Sequence, residues 1–289
     1  MSKKVAVFEI IFGRRYDEAT GTLRDPLITK ADVVSAIVEA NLSINGKPLS
    51  TENPANFMKD YLRLSDRNGL WPVSIRSKGF TARQRTGDGR CFEFVSLAHE
   101  AEPFPDDFVA TGLEKTFVLQ TLSLPVTTRA LVRADEQSIA QLSVKLNLIE
   151  HFLASSPEAA KWGLREITHL QNGVKLRDTE IDSLYQAVIV VDGKELIGAV
   201  AAEIKTKDPI IAEQIANQAI AILNDKAFSF CIPVILTRSK RGEVVAIHLK
   251  MLRGADIVPP SAHQPDPTVD LGGVAYSAKY EFRPPLERL

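Results

Sequence analysis

Between Leu196 and Ala202 the chain reads Leu-Ile-Gly-Ala-Val-Ala-Ala, and it then closes on Glu203-Ile204-Lys205. A run this apolar reads as a buried strand. A buried strand in turn needs a sheet around it and helices against that sheet. The neighbouring sequence supplies both. Glu180 to Val191 is a second strand-like run, ending at Asp192-Gly193, a hairpin signal that joins it to Leu196–Thr206. Leu164 to Gln171 is a third, ending at Asn172-Gly173. Upstream, Ile139, Leu142, Leu146, Ile149 and Leu153 recur at helical spacing and predict one long helix from Asp135 to Ala154, stopped by Ser155-Ser156-Pro157. Downstream, Pro209 opens a helix with Ile210, Ile211, Ile215, Ala219 and Ile222 as its apolar positions. Phe228–Leu236 and Val244–Lys250 follow as strands turning at Arg241-Gly242, and Val274–Phe282 is a last strand-like run in a tail rich in Pro and Gly. Helix, three strands, helix, two strands predicts a mixed α/β fold, a mixed sheet flanked by helices.

The N-terminal part has a different rhythm. Val5 to Phe12, rich in β-branched and aromatic residues, reads as a strand. A polar loop runs from Gly13 to Pro26. Thr29 with Asp32 three residues on predicts a capped helix carrying Val33, Val34, Ile37 and Val38, which stops near Asn45-Gly46. Asn53-Pro54 predicts a second helix through Phe57, Met58, Tyr61 and Leu62. After a turn at Asn68-Gly69, Gly79–Arg85 and Arg90–Leu97 form a hairpin across Thr86-Gly87-Asp88-Gly89. Two helices and then a hairpin is the order of a winged helix-turn-helix. The acidic, proline-bearing stretch His99 to Asp107 marks the domain edge, dividing the chain into 1–107 and 108–289, with an ambiguous, strand-rich connection over Phe108–Val132.

The formal charge of −1 excludes a globally basic nucleic-acid binder, so any affinity for DNA must be local. It is concentrated in the predicted second helix and hairpin: Lys59, Arg63, Arg67, Arg76, Lys78, Arg83, Arg85 and Arg90 stand against only Asp60, Asp66 and Asp88. A helix in the major groove and a hairpin gripping phosphates would use such a set. No apolar run reaches membrane-spanning length. Cys91 and Cys231, far apart and outside any CxxC pair, predict reduced, buried thiols in a cytoplasmic protein.

The chemistry points to one place. On a strand Glu203 and Lys205 share a face, and Asp182, in the partner strand of the same hairpin, comes close to Glu203 at the end away from the turn. Two adjacent carboxylates repel unless a cation neutralises them. All-oxygen ligands suit Mg²⁺. A lysine beside them can hold an attacking water and offset charge on a phosphate. Glu180 shares the face of Asp182 as an outer or alternative carboxylate, and Lys175, Arg177 and Lys207 could touch phosphate. No GxSxG, HExxH, Walker loop or GxGxxG occurs, and His151 and His169 lack partners at ligand spacing.

Asp182 followed by Glu203-Ile204-Lys205 resembles the signature of the PD-(D/E)XK nuclease superfamily, in particular its type II restriction endonucleases, over roughly residues 135–250. Ile181 stands where the motif's name has proline. The resemblance implies a restriction-endonuclease-like core and Mg²⁺ held by Asp182, Glu203 and the main-chain carbonyl of Ile204. It implies a glutamine, Gln214 or Gln218, on the helix after the lysine strand. It also implies an acidic residue on the helix before the sheet, Glu150, with Glu166 as the alternative. The function implied is site-specific cleavage of double-stranded DNA in restriction-modification defence, by a homodimer whose contact uses the 135–154 helix or the C-terminal tail. A repair or junction-resolving nuclease on the same core, and a non-catalytic winged-helix DNA-binding protein, are the alternatives.

Overall fold

The computed structural model describes residues 2–85, 87–105, 108–176, 179–239, 242–260, 266–286 and 288–289. The chain divides into two compact units, Met1–Asp106 and Asp107–Leu289.

The first unit begins with α1 (Lys3–Arg15), followed by a small hairpin of β1 (Tyr16–Asp17) and β2 (Thr22–Leu23), then β3 (Leu27–Thr29) and α2 (Lys30–Ser43). The capping box at the start of α2 is present as the sequence predicts, Thr29 and Asp32 bonding reciprocally. Short helices α3 (Phe57–Leu62), α4 (Arg67–Leu70) and α5 (Val73–Arg76) lead into the hairpin of β4 (Phe80–Gln84) and β5 (Arg90–Ser96). β3 adds to that hairpin, giving an antiparallel sheet ordered β3-β5-β4.

Val5–Phe12, expected as a strand, lies inside α1. Its β-branched composition suggested a strand, but Val5, Phe8, Ile11 and Phe12 fall at helical spacing and are all buried. The packing around Phe8 decides the matter. Its ring meets those of Tyr61 and Trp71 at 4.9 Å, Phe57 at 5.1 Å and Phe92 at 5.2 Å. Burial against partners distant in sequence outweighs the modest helix penalty of β-branching.

In the second unit, β6 (Lys115–Gln120) and α6 (Val126–Leu131) precede α7 (Glu136–Lys145) and α8 (Leu148–Ala154). The single helix expected over 135–154 is broken at Asn147, which adopts a left-handed φ of 49°. Asparagine tolerates that conformation, and the break lets each half turn its own apolar side into the core.

Then come β7 (Leu164–Leu176), β8 (Thr179–Val191) and β9 (Lys194–Lys205), an antiparallel series. The Asp192-Gly193 turn has φ of 50° and 75°, the left-handed pair that a two-residue hairpin needs. α9 (Ala212–Leu223) carries the chain back to β10 (Phe230–Arg238), which pairs parallel with β9. β11 (Glu243–His248), β12 (Leu252–Arg253), β13 (Ile257–Val258), β14 (Thr268–Val269) and β15 (Tyr276–Arg283) complete the unit. The main sheet runs β6-β15-β11-β10-β9-β8-β7, with β12 also on β10. It is the mixed sheet that the sequence predicts. α7 and α8 cover one face, with Val200, Ala202 and Ile204 of β9 pointing to them, and α9 covers the other, with Ala199 and Ala201.

β9 and β10 approach each other closely at Gly198. A Cβ there would lie 2.5 Å from atoms of the Phe230 ring, which is itself fully buried. Gly198→Ala is expected to cost about 1–3 kcal/mol by overpacking, measured as a lower urea midpoint at unchanged slope.

His248 is fully buried at the end of β11. It faces the Leu249 carbonyl at 2.9 Å through Nδ1 and the Ser156 hydroxyl at 2.7 Å through Nε2, partners that suit the neutral ring. Burial holds its pKa below the ordinary imidazole value. Below about pH 6.5 the unfolded chain therefore binds a proton that the folded chain refuses, and stability falls with pH, by up to about 1.4 kcal/mol per unit for one proton. The slope should be present between pH 6.5 and 5 in wild type and reduced in His248→Gln, read by urea unfolding across that range.

Candidate active site

β9 ends in Glu203 and Lys205, and both are buried, at 1% and 6% exposure. Strand alternation turns both side chains toward the face covered by α9. Lys205 Nζ pairs with Glu203 Oε1. From α9, Gln214 donates to Glu203 Oε1 at 2.7 Å, and Gln218 donates to Glu203 Oε2 at 2.5 Å. The two glutamines are four residues apart and so lie one above the other on the same helix face. Gln218 also donates to the main-chain carbonyl of Glu180 at 2.8 Å, tying α9 to β8. Its own amide oxygen is buried without a hydrogen-bond partner.

Asp182 is half-buried on β8 and accepts a hydrogen bond from the Ile204 N–H at 2.8 Å, which places it beside Glu203 across the hairpin. Glu136, in the first turn of α7, stands 3.8 Å from Lys205 Nζ. Thus β8, β9, α7 and α9 all contribute to one polar cluster at the carboxyl end of β9.

The electrostatics follow from burial. Loss of solvent pushes the Glu203 carboxyl up, and the nearby Asp182 charge pushes the same way, against the pull of Lys205. Burial also works against the charged form of Lys205, but Glu203, Asp182 and Glu136 outweigh it and hold the ammonium above its ordinary value. The cluster therefore keeps its lysine charged and resists a second bare carboxylate. Its oxygen donors, the Asp182 and Glu203 carboxylates and the Ile204 carbonyl, are of the hard type a Mg²⁺ ion takes. The residues present fit such an ion as a small open set completed by water. Among the described residues no group of three or more His, Cys, Asp or Glu side chains forms a metal cage.

The structure thus brings together Asp182, Glu203, Lys205 and Gln214, with Gln218 as close a partner of Glu203 as Gln214. Glu180 is exposed one strand turn away. Glu150 does not join them. It projects from α8, on the sheet face opposite Glu203, and its Oε2 is buried without a partner. Glu166 is exposed on β7, accepting from the Thr168 hydroxyl at 2.9 Å. The carboxylate that does reach Lys205 from the preceding helix is Glu136. In the sequence, an acidic residue in a helix's first turn carries no mark beyond ordinary dipole compensation. His151 meets the Tyr280 hydroxyl at 2.9 Å and His169 meets Asn172 at 2.9 Å.

The basic set of the first unit is divided. Arg63, Arg76, Lys78 and Arg83 are exposed, while Lys59 and Arg90 are half-buried. Arg67 is only 7% exposed, so it is not presented to a polyanion. Arg85 is half-buried and bonds Glu93 at 2.9 and 2.6 Å. Arg90 pairs with Asp88 at 3.3 Å and Lys78 with Glu18. In the second unit Lys175 and Lys207 are exposed, and Arg177 lies outside the described residues. Both cysteines are free and buried, burial pushing the thiols up to about 11 for Cys91 and about 12 for Cys231. No helix of the described residues is long and apolar enough to cross a membrane. Comparison with protein families, with curated proteins and with solved structures finds no match to this chain.

Proposed function

We propose that this protein is a Mg²⁺-dependent, site-specific endonuclease of double-stranded DNA, with a catalytic core of the PD-(D/E)XK type. One observation carries the reading. A Glu–Lys pair is buried at the carboxyl end of β9, sealed by two glutamines from α9, with a second carboxylate, Asp182, alongside. Such a cluster is poor value for stability, since apolar residues of similar size would serve the fold at least as well. It is well suited to phosphodiester hydrolysis. It also sits where open α/β sheets take ligands, beyond the carboxyl end of a strand at a crossover to its parallel neighbour.

The order of elements supports the same reading. Helix, three-stranded hairpin region, helix and closing strands is what the family resemblance implies for the core, and the elements from α7 to β11 follow that order. In the first unit, helix, strand, helices and hairpin in the sheet order β3-β5-β4 agrees with a winged helix-turn-helix. In that role the exposed Arg63, Arg76, Lys78 and Arg83 would contact the duplex.

Asp182, Glu203 and the Ile204 carbonyl would hold the ion, which when bound supplies charge neutralisation at the phosphate and acidifies a water. The chain's own residues do the rest. Lys205 orients the attacking water and offsets charge developing on the phosphate. Gln214 and Gln218 fix the Glu203 carboxylate, so that it is arranged before substrate arrives. Glu136 keeps Lys205 protonated and directed. Cleaving both strands of a duplex is simplest for a two-fold homodimer presenting two such sites.

The test is incubation of the purified protein with phage-length DNA, with Mg²⁺ or with EDTA. Discrete fragments with Mg²⁺ alone are expected. A smear would keep the nuclease and discard site specificity in favour of a repair-type enzyme. Intact DNA on several modified and unmodified substrates, with metal-independent binding, would leave a DNA-binding protein only.

A further inference from the structure

A pocket of about 450 Å³ opens on the sheet face opposite Glu203, between α8, the 3-10 turn Ala159–Trp162 and the start of β7. That volume lies in the range of small-molecule sites. Leu153, Ala159, Leu164 and Ile167 give it apolar walls, and Glu150, Arg165 and Glu166 are its charged lining. Two features set it apart from a surface dimple. Glu150 contributes a carboxyl whose Oε2 is buried without a hydrogen bond, a cost that packing within the chain does not relieve. In addition, the ladder to β8 slips at Arg165. Leu164 stands opposite Ile189 and Glu166 opposite Val188, so Arg165 is an extra residue bulged into the pocket wall. Bulges of this kind re-aim side chains and are common beside binding sites.

We propose that this pocket binds a small organic cation with an apolar body, its ammonium donating to Glu150 while the body lies against Leu153, Leu164 and Ile167. The sign of the ligand follows from the lining. Two carboxylates, Glu150 and Glu166, face one guanidinium, Arg165. Glu150 is the one half-buried charge of the lining, and an ammonium beside it would be attracted to its carboxylate. Burial pushes that carboxyl up, and a neighbouring cation would hold it ionised. The site is separate from the Glu203 cluster, and the inference does not rest on the nuclease reading.

Calorimetric titration with benzylamine, benzamide and benzoate tests it. Saturable binding of benzylamine is expected, with the neutral and anionic analogues at least about tenfold weaker. Glu150→Gln, which keeps the shape and removes the charge, should weaken benzylamine by about tenfold or more. Ala160→Trp, placed at an exposed lining position, should abolish binding by filling the space. Absence of saturable benzylamine binding overturns the proposal. So does equal affinity for benzamide or benzoate, or an unchanged affinity in Glu150→Gln.

Discussion

Lys205→Ala is expected to lower Mg²⁺-dependent cleavage of duplex DNA by at least about 10²–10³-fold, the scale of removing one preorganised charge from a transition state. The reason is the geometry at the end of β9. Lys205 is the buried cation of the cluster, paired with Glu203 and within 3.8 Å of Glu136. On the proposed mechanism it is the group that would hold the water and balance the phosphate. The lone Glu203 would also take up a proton more readily, because burial already pushes its carboxyl up and Lys205 is the main charge pulling it down. Neutralised in this way, the carboxyl can stay buried, so the variant should remain folded while losing stability. Far-UV circular dichroism and a DNA-binding assay beside the cleavage assay separate these effects. Loss of cutting with fold and binding retained is the expected pattern. Cutting retained within a few-fold of wild type would remove Lys205 from the mechanism.

Phe8→Ala carries the largest expected loss of stability, about 3–5 kcal/mol for deleting a buried aromatic side chain. Phe8 is fully buried and touches the rings of Phe57, Tyr61, Trp71 and Phe92, which come from a helix, a short turn and a strand. The unit spanning Met1–Asp106 is small enough that a loss of this size is a large part of its stability. Urea unfolding followed by tryptophan fluorescence reads it directly, since Trp71 packs on Phe8. A loss below about 1 kcal/mol would mean that the helix α1 does not anchor this core.

The polar cluster at the end of β9 was legible because its signals are local. A two-residue turn at Asp192-Gly193 sets the register of β8 against β9. Period-two alternation then puts Glu203 and Lys205 on one face with Asp182 beside them. The capping box at Thr29 and Asp32 is equally local, a matter of one side chain and one backbone group three residues apart. The glutamines of α9 were visible as a pair at helical spacing, although their joint grip on Glu203 depends on how α9 packs.

What the chain's local chemistry left open was settled by contacts between residues far apart. Val5–Phe12 suits either a strand or a helix, and Phe8's aromatic neighbours from elsewhere in the unit select the helix. The apolar repeat over 135–154 is unbroken, yet a left-handed Asn147 divides it, because each half gains more by packing separately on the sheet. Packing also brings Glu136, rather than Glu150, to Lys205. Arg67 and Arg85 look alike in a list of basic residues, but folding buries Arg67 and pairs Arg85 with Glu93. By itself, then, the sequence determined the strand hairpin and the acid–acid–lysine set on it, since turn chemistry and strand period act over a few residues. Only the tertiary structure decided which helices exist as single pieces and which carboxylate completes the site, because those depend on burial that no short window of sequence contains.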